Sequence, residues 1–329
     1  MAKCLACYEP LENAQNEYHD KCSRRIFGTN VSPRLDFTLN QVNKLASQVI
    51  QKRIAIPGVQ PKLSLTYDSQ KTGDKRLTIV GLWEGLYVLK PPNEEYPELP
   101  QNEDVTMHMA ELLGIKVAKH SLIRFDSGEL AYLSVRFDRK ISRKKVVKIH
   151  QEDMCQLTGL LTEDKYNSSL EKVATAVNTY TTNKGLELLE LFKVTVFSFL
   201  TGNSDMHLKN YSLVYKYDEM VRLSPAYDLL ATKLVVLKDK EETALTLGGK
   251  KNRLNRQDFH NFAKYCQMNP KATDNVFTAF ESKLSEISKL ISKSFLSDEM
   301  AQQYLDLIHD RAERLNLSLP QNFKILDRR

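Results

Sequence analysis

Residues 202–228 read "GNSDMHLKNYSLVYKYDEMVRLSPAYD", and the fold is decided by how this stretch is read. It follows "GLELLELFKVTVFSFL", Gly185 to Leu200, a run apolar on nearly every side, which predicts a buried helix. Gly202 and Asn203 are residues that end helices, so the polar "SDMHLKN" is expected to be a loop anchored on a rigid core element. Beyond it, polar and apolar residues alternate on both sides of "YDEM". That pattern predicts a β-hairpin turning near Glu219, with Asn210 and Asp228 opposite each other at its open end, backbones about 5 Å apart. Asp205 lies just upstream of that end. An Asn and two Asp would then converge, a set of oxygen ligands and proton acceptors suited to a hard cation such as Mg²⁺.

Working outward, the spacing Asp205-x4-Asn210 is the interval of a protein-kinase catalytic loop, with Asp228 in the place of a second metal-holding acid. The residues around Asp228 are "YDL", which departs from the pattern of ordinary eukaryotic-type kinases. Phosphoryl transfer also needs positive charge. Lys90 ends a predicted strand, and "PGVQPK", Pro57 to Lys62, is a turn whose backbone N–H groups and Lys62 can face phosphates. Taken singly, each reads equally well as a solvated lysine or an ordinary turn.

The rest of the chain divides by periodicity. Leu35, Leu39, Val42, Leu45 and Val49 recur at helical spacing and predict a helix over 35–52. "KLSLTY", "RLTIV" and "GLYVLK" predict strands, the last stopped by Pro91 and Pro92. "NEDVTMHMAELLG" predicts a helix capped by Asn102, with Glu103 and Asp104 at its positive end and Gly114 closing it. "VAKHSLIRF" and "ELAYLSVRF" predict a hairpin around "DSGE". After residue 138 the pattern is mostly helical, with strands expected only between Tyr211 and Leu223. The expected class is α+β, a protein-kinase-like two-lobed fold. Its parts are a Cys-rich cap and helix at 1–52, a β-rich part with the phosphate loop at 53–137, and a helical part with the catalytic loop at 138–329.

Composition sets bounds. The chain has 329 residues, a formal charge of +6 and no apolar run long enough to span a bilayer. Its beginning, "MAKCLACYEP", lacks the apolar core of a secretory signal, so a cytoplasmic setting is expected. Five cysteines do not make a disulfide framework. Cys4, Cys7, His19 and Cys22 form C-x2-C-x11-H-x2-C, four soft or borderline ligands in two close pairs, enough for a zinc site and equally readable as a reduced, metal-free cap. "RKISRKKVVK", 139–148, holds six basic residues in ten. It reads as a solvated strand pair or as a docking patch for an acidic protein surface or tRNA.

The blocks "GVQPK", "YVLKPP", "NEDVTMHMAELLGI", "LSVRFDR", "HQEDMCQLTG", "GNSDMHLKN" and "LSPAYDLL", with "LTLGGKKNR" beyond them, resemble the HipA family of serine/threonine kinase toxins in order and content. The resemblance implies roles. Asp205 matches the catalytic base, and Asn210 and Asp228 match the Mg²⁺ ligands. The ATP-contacting set is Lys90, the loop Pro57, Gly58, Val59, Gln60, Pro61 and Lys62, the hinge Val135, Arg136 and Phe137, and His207, Leu208, Lys209, Asn210, Tyr227 and Asp228. Counting back from Gly58, Ala55 stands where the family carries a serine that it phosphorylates on itself, so that route to self-inactivation is expected to be closed. Only about fifty residues precede "GVQPK". That looks like the short HipT form, whose missing subdomain is the separate protein HipS, beside the DNA-binding antitoxin HipB. The implied substrate is an aminoacyl-tRNA synthetase. DNA would be reached only through the antitoxin, and no membrane partner is implied. Two other readings stay open: a metal-dependent hydrolase using Asp205, His207 and Asp228, and a non-catalytic binding protein on a kinase-like scaffold.

Overall fold

The structure is a computed structural model, in which residues 2–12, 16–35, 37–44, 62–67, 76–81, 85–142, 145–215, 220–321 and 323 are described. It is a mixed α/β fold that divides into two compact units. The first unit comprises 1–104, 118–148 and 293–295; the second comprises 105–117, 149–292 and 296–329.

The first unit is built on a six-stranded sheet. Its strands are β1 (Arg34–Leu35), β2 (Leu63–Tyr67), β3 (Arg76–Val80), β4 (Tyr87–Lys90), β5 (His120–Arg124) and β6 (Leu130–Val135). They lie in the order β1-β3-β2-β4-β6-β5. All pairings are antiparallel except β1 with β3. Leu65, Leu89, Leu122 and Leu133 point from alternate strand positions into a core shared with Leu5, Ile26, Phe27 and Leu35. Ile26 and Phe27 come from α1 (Asp20–Phe27), which Gly28 ends in the left-handed conformation at φ 72°. The predicted helix over 35–52 is corrected at its start. Leu35 is paired parallel with Leu77 in the sheet, and helix α2 begins only at 39 and is described through 44. Leu45, Val49 and the remainder of that prediction lie outside the described residues, as do residues 68–75, Ala55 and Pro57 to Pro61. A further hairpin pairs β7 (Arg139–Ser142) with β8 (Lys145–Lys148).

Helix α3 (Leu99–Leu112) starts three residues before the predicted cap. Pro100 is tolerated in its first turn because an N–H there has no helical acceptor. Asn102 donates its backbone N–H to Glu98 O, so it lies inside the helix and does not cap it. Gly114, at φ 72°, closes the helix as expected.

The second unit is mainly helical: α4 (Met154–Thr158), α5 (Leu170–Tyr180), α6 (Lys184–Leu200), α7 (Arg256–Tyr265), α8 (Pro270–Lys293) and α9 (Asp298–Arg314). The core helix α6 contributes Phe192, Phe197 and Phe199, all fully buried. Phe192 meets Phe262 and Phe277 with centroids 6.4 and 6.0 Å apart, and Phe199 meets Phe259 at 5.2 Å, the offset and edge geometries aromatic rings favour. The expectation that strands follow residue 138 only between Tyr211 and Leu223 is overturned. Besides β7 and β8, β9 (His150–Asp153) takes the first three residues of the predicted "QEDMCQLTGLL" helix and pairs with β10 (Ser212–Tyr215). β10 pairs on its other side with β11 (Val221–Leu223). Among the described residues, no helix is long and apolar enough to cross a membrane.

Candidate functional site

The candidate site residues fall into two sets, one in each unit. In the first unit, β4 ends on Lys90, which is 4% exposed. Its Nζ lies 2.5 Å from Glu103 Oε1, itself buried in α3. Sequence reasoning read Glu103 as an acid at the positive end of a helix. The earlier helix start carries it one turn inward, where it pairs with the strand lysine. Lys90 also lies 5.4 Å from the centre of the Tyr132 ring. The next residue, Asp104, accepts from Tyr8 Oη at 2.5 Å and bonds His120 Nδ1 at 2.7 Å. Burying a lone ammonium is costly, so the lysine is held by a carboxylate whose neighbours are themselves fixed.

Lys62 stands partly buried before β2. At the predicted hinge, Val135 N–H donates to Lys119 O at 2.7 Å and Arg136 N–H to Leu86 O at 2.8 Å. Arg136 also forks onto Asp138 through Nε at 3.0 Å and Nη2 at 2.9 Å, and Arg139 joins the same carboxylate. Phe137 follows Arg136 in the turn that leaves β6.

In the second unit, α6 delivers the loop. Gly202, at φ 66°, turns the chain out of the helix, and a Cβ there would meet Leu307 Cδ2 at 2.6 Å. Ser204 is pinned from both sides: its backbone N–H reaches Thr232 Oγ1 at 2.7 Å and its hydroxyl reaches Asp239 Oδ2 at 2.6 Å. Asp205 N–H donates to Asn203 Oδ1, an Asx turn. The Asp205 carbonyl accepts twice, from His207 N–H at 2.8 Å and from Asn210 Nδ2 at 2.9 Å. The second of these bonds turns the Asn210 amide so that Oδ1 is the atom left for a cation. Leu208 is buried and donates its N–H to Lys165 O. Lys209 is held by Asp153 at 2.7 Å, the same carboxylate that caps α4. Tyr227 ties the hairpin to the loop, its hydroxyl donating to Lys209 O at 2.8 Å and lying 2.6 Å from Ser212 Oγ.

Asp205 itself accepts from Tyr166 Oη at 2.6 Å through Oδ1. Tyr166 also sets its ring edge-on to His207, centroids 5.0 Å apart. Sequence reasoning missed Tyr166. It lies 39 residues upstream in an irregular segment with no periodicity to mark it. Burial pushes the His207 imidazole below its usual pKa, opposed by the Asp205 carboxylate and more weakly by Asp228. Its buried Nδ1 has no hydrogen-bond partner among the described residues. Asp228 has φ 56°, a left-handed backbone that a non-glycine residue adopts at a cost of about 1 kcal/mol or more, and such strain gathers at functional sites.

The predicted symmetric hairpin is corrected: each cross-strand pairing is shifted by two residues. The register Leu213–Leu223, Val214–Arg222 and Tyr215–Val221 centres on 218, so Asn210 does not face Asp228. The last backbone bond of the pair runs from Ser224 N–H to Ser212 O, and Ala226 donates its N–H to Lys116 O.

The cysteines form a third cluster, in the first unit. The ligand atoms of Cys4, Cys7, His19 and Cys22 lie within 4.8 Å of one another.

The family model described as HipA-like C-terminal domain matches residues 54–287. The serine/threonine-protein kinase toxin HipA of Shewanella oneidensis is 30% identical over 202 residues, covering 55% of this chain and 44% of that protein. A Haemophilus influenzae relative is 32% identical over 214 residues, covering 61% and 59%. The chain thus spans about half the length of the curated relatives it matches. Among solved structures, the Shewanella oneidensis MR-1 HipA, determined with HipB and its operator DNA, superposes with a TM-score of 0.68 at 21% identity, covering 82% of this chain and 71% of that one. The Helicobacter pylori proinflammatory kinase CtkA gives 0.52 at 17% identity, covering 76% and 93%.

Proposed function

The chain belongs to the family of HipA-like C-terminal domains, and from that premise we propose that it is an ATP- and Mg²⁺-dependent serine/threonine protein kinase of the toxin type. The observation that carries the reading is the buried Lys90–Glu103 pair, a strand lysine held by a helix glutamate, the arrangement protein kinases use to hold nucleotide phosphates. A hydrolase built on Asp205, His207 and Asp228 has no use for it.

ATP supplies the phosphoryl group when bound, and Mg²⁺ neutralises its charge. The donor set fits a hard cation: Asn210 offers Oδ1, and Asp228 offers a carboxylate. Lys90 directs its ammonium to phosphate oxygens while Glu103 keeps it charged and oriented. Asp205 accepts the proton of the substrate hydroxyl, and Tyr166 fixes the rotation of its carboxylate by holding Oδ1. His207, neutral and buried, supports the loop. The Pro57–Lys62 segment covers the phosphates and Val135–Phe137 receives the base.

The finer proposals follow the family. The chain is the short HipT form, working in the cytoplasm as a two-lobed kinase with partners of the HipB and HipS type. Its substrate is an aminoacyl-tRNA synthetase, and Ala55 closes the self-phosphorylation route. Incubation with γ-labelled ATP and a panel of synthetases tests the core of this. Label on a synthetase serine or threonine is expected. Free phosphate alone, undiminished in Lys90→Met, overturns the kinase reading in favour of hydrolysis.

A further inference from the structure

We infer that Cys4, Cys7, His19 and Cys22 hold a structural zinc ion that locks residues 2–12 and 16–22 onto the edge of the six-stranded sheet. The four ligands come from two short pieces of chain. An antiparallel bridge between Lys3 and Pro10 closes a loop that carries Cys4 and Cys7. Within it, Cys4 N–H donates to Glu9 O and Tyr8 N–H to Cys4 O, and Tyr8 takes a left-handed φ of 65° to bring the chain back. The second piece is the start of α1, where His19 precedes the helix and Cys22 lies in its first turn.

The histidine shows the purpose of the arrangement. A residue before a helix commonly caps it, yet the His19 side chain makes no cap bond. Its Nε2 lies 3.0 Å from Pro10 O. A carbonyl only accepts, so Nε2 carries the hydrogen, and Nδ1 is the nitrogen that faces the thiols. That nitrogen is 3.4 Å from Cys7 Sγ and 4.0 Å from Cys22 Sγ. A tetrahedral zinc ion, with bonds of about 2.3 Å to sulfur and about 2.0 Å to nitrogen, separates its ligand atoms by roughly 3.5–3.8 Å. The Pro10 carbonyl is the outer partner that metal-binding histidines almost always have. Four protein ligands leave no open position, which makes the site structural and not catalytic. All five cysteines are free thiols, so no disulfide competes for them.

What the ion would hold in place is also visible. Leu5, between the two loop cysteines, accepts at its carbonyl from Leu122 N–H and from Ser121 Oγ, both at 3.2 Å. Tyr18 Oη donates to Leu122 O at 2.6 Å. β5 is the end strand of its sheet, so these bonds cover an open edge. Tyr8 reaches Asp104, the neighbour of the Glu103 that pairs with Lys90. Closing the loop therefore steadies the lysine pair, a consequence that rests on the kinase reading, whereas the metal site does not.

The test uses the full chain purified under reducing conditions. About one zinc per chain is expected by mass spectrometry of the metal. Exchange with Co²⁺ should give the intense visible bands of a tetrahedral three-thiolate, one-nitrogen site. Cys7→Ser should lose zinc affinity at least tenfold, while Cys155→Ser and Cys266→Ser, buried elsewhere, retain it. His19→Cys should keep the metal and shift the cobalt bands, which guards against misfolding of the serine variant. A folded chain that takes up neither ion overturns the proposal, as do cobalt bands unchanged in His19→Cys. Zinc bound by a chain without kinase activity leaves the site standing and removes the functional reading alone.

Discussion

The lysine set of the first unit and the aspartate loop of the second are held by opposite means. Lys90, Glu103 and Asp104 sit on a strand and a helix, deeply buried, and are fixed by partners on their own side chains. Asp205, His207 and Asn210 sit on a loop, and most of their restraints fall on backbone groups or on the side-chain atoms that the proposed reading leaves out of the chemistry. Asn210 gives away its amide hydrogens and keeps its oxygen; Asp205 gives one carboxylate oxygen to Tyr166 and keeps the other. On the proposed kinase reading, a charge that must stay put is saturated with partners, and a group that must meet a substrate is positioned through its neighbours.

Replacing each set breaks the comparison differently. Asp205→Asn is expected to cut transfer by about 10² to 10⁴-fold with an unchanged melting temperature, because its restraints survive in the amide. Equal losses of stability and activity would place it with the saturated groups. Glu103→Ala should do the reverse and lose stability, by about 3 kcal/mol, because it strands a buried ammonium. The double change Lys90→Met with Glu103→Leu should recover most of that stability in urea unfolding while nucleotide binding stays lost. If the single and double variants are equally unstable, the pair is not the source of the cost.

Gly202→Ala sharpens the loop side. With φ 66° and Leu307 in the way, about 2 kcal/mol of stability should go, and activity should fall beyond it as the loop shifts. Asp228→Ala should weaken ATP binding about tenfold with Mg²⁺ and little in EDTA, read by calorimetry. Equal loss in both conditions would argue that it contacts the nucleotide directly. The smallest effect is pH-dependent. His207 is held below its usual pKa by burial, so above about 6.5 neither state is protonated and its contribution is complete. As pH falls below that value the unfolded chain gains a proton that the folded one resists, and stability declines. His207→Gln should flatten this part of the urea midpoint's pH profile.

The two sets also differed in how legible they were. Asp205, Asn210 and Asp228 lie close in sequence and announce themselves by spacing. The helix α6 and the terminal helices follow from apolar periodicity alone. Glu103 was visible but misassigned, since "NEDV" imitates a helix start and the true one is marked by Pro100. Leu35 fits a helical repeat, yet its place is set by Leu77, forty-two residues on, and no local pattern records a distant register. β7 and β8 carry exposed Ile141 and Val146 among basic residues and so lack the alternation of a half-buried strand. The hairpin pairing is offset by two residues from the symmetric expectation, a shift that leaves every side chain on the same face, so alternation alone does not record it.

The bonds from Leu5 and Tyr18 to β5 bear on where the chain can be cut. An expression boundary placed beyond residue 28 would look harmless, since the matched family region begins at 54. It would leave Leu122 N–H and C=O on an uncovered strand beside the apolar surface of Leu133 and Phe125. A bare edge of that kind recruits other strands, and the trimmed protein should be recovered as aggregate. The cysteine-bearing segment is in that sense a guard on the sheet, keeping its edge from templating a neighbour.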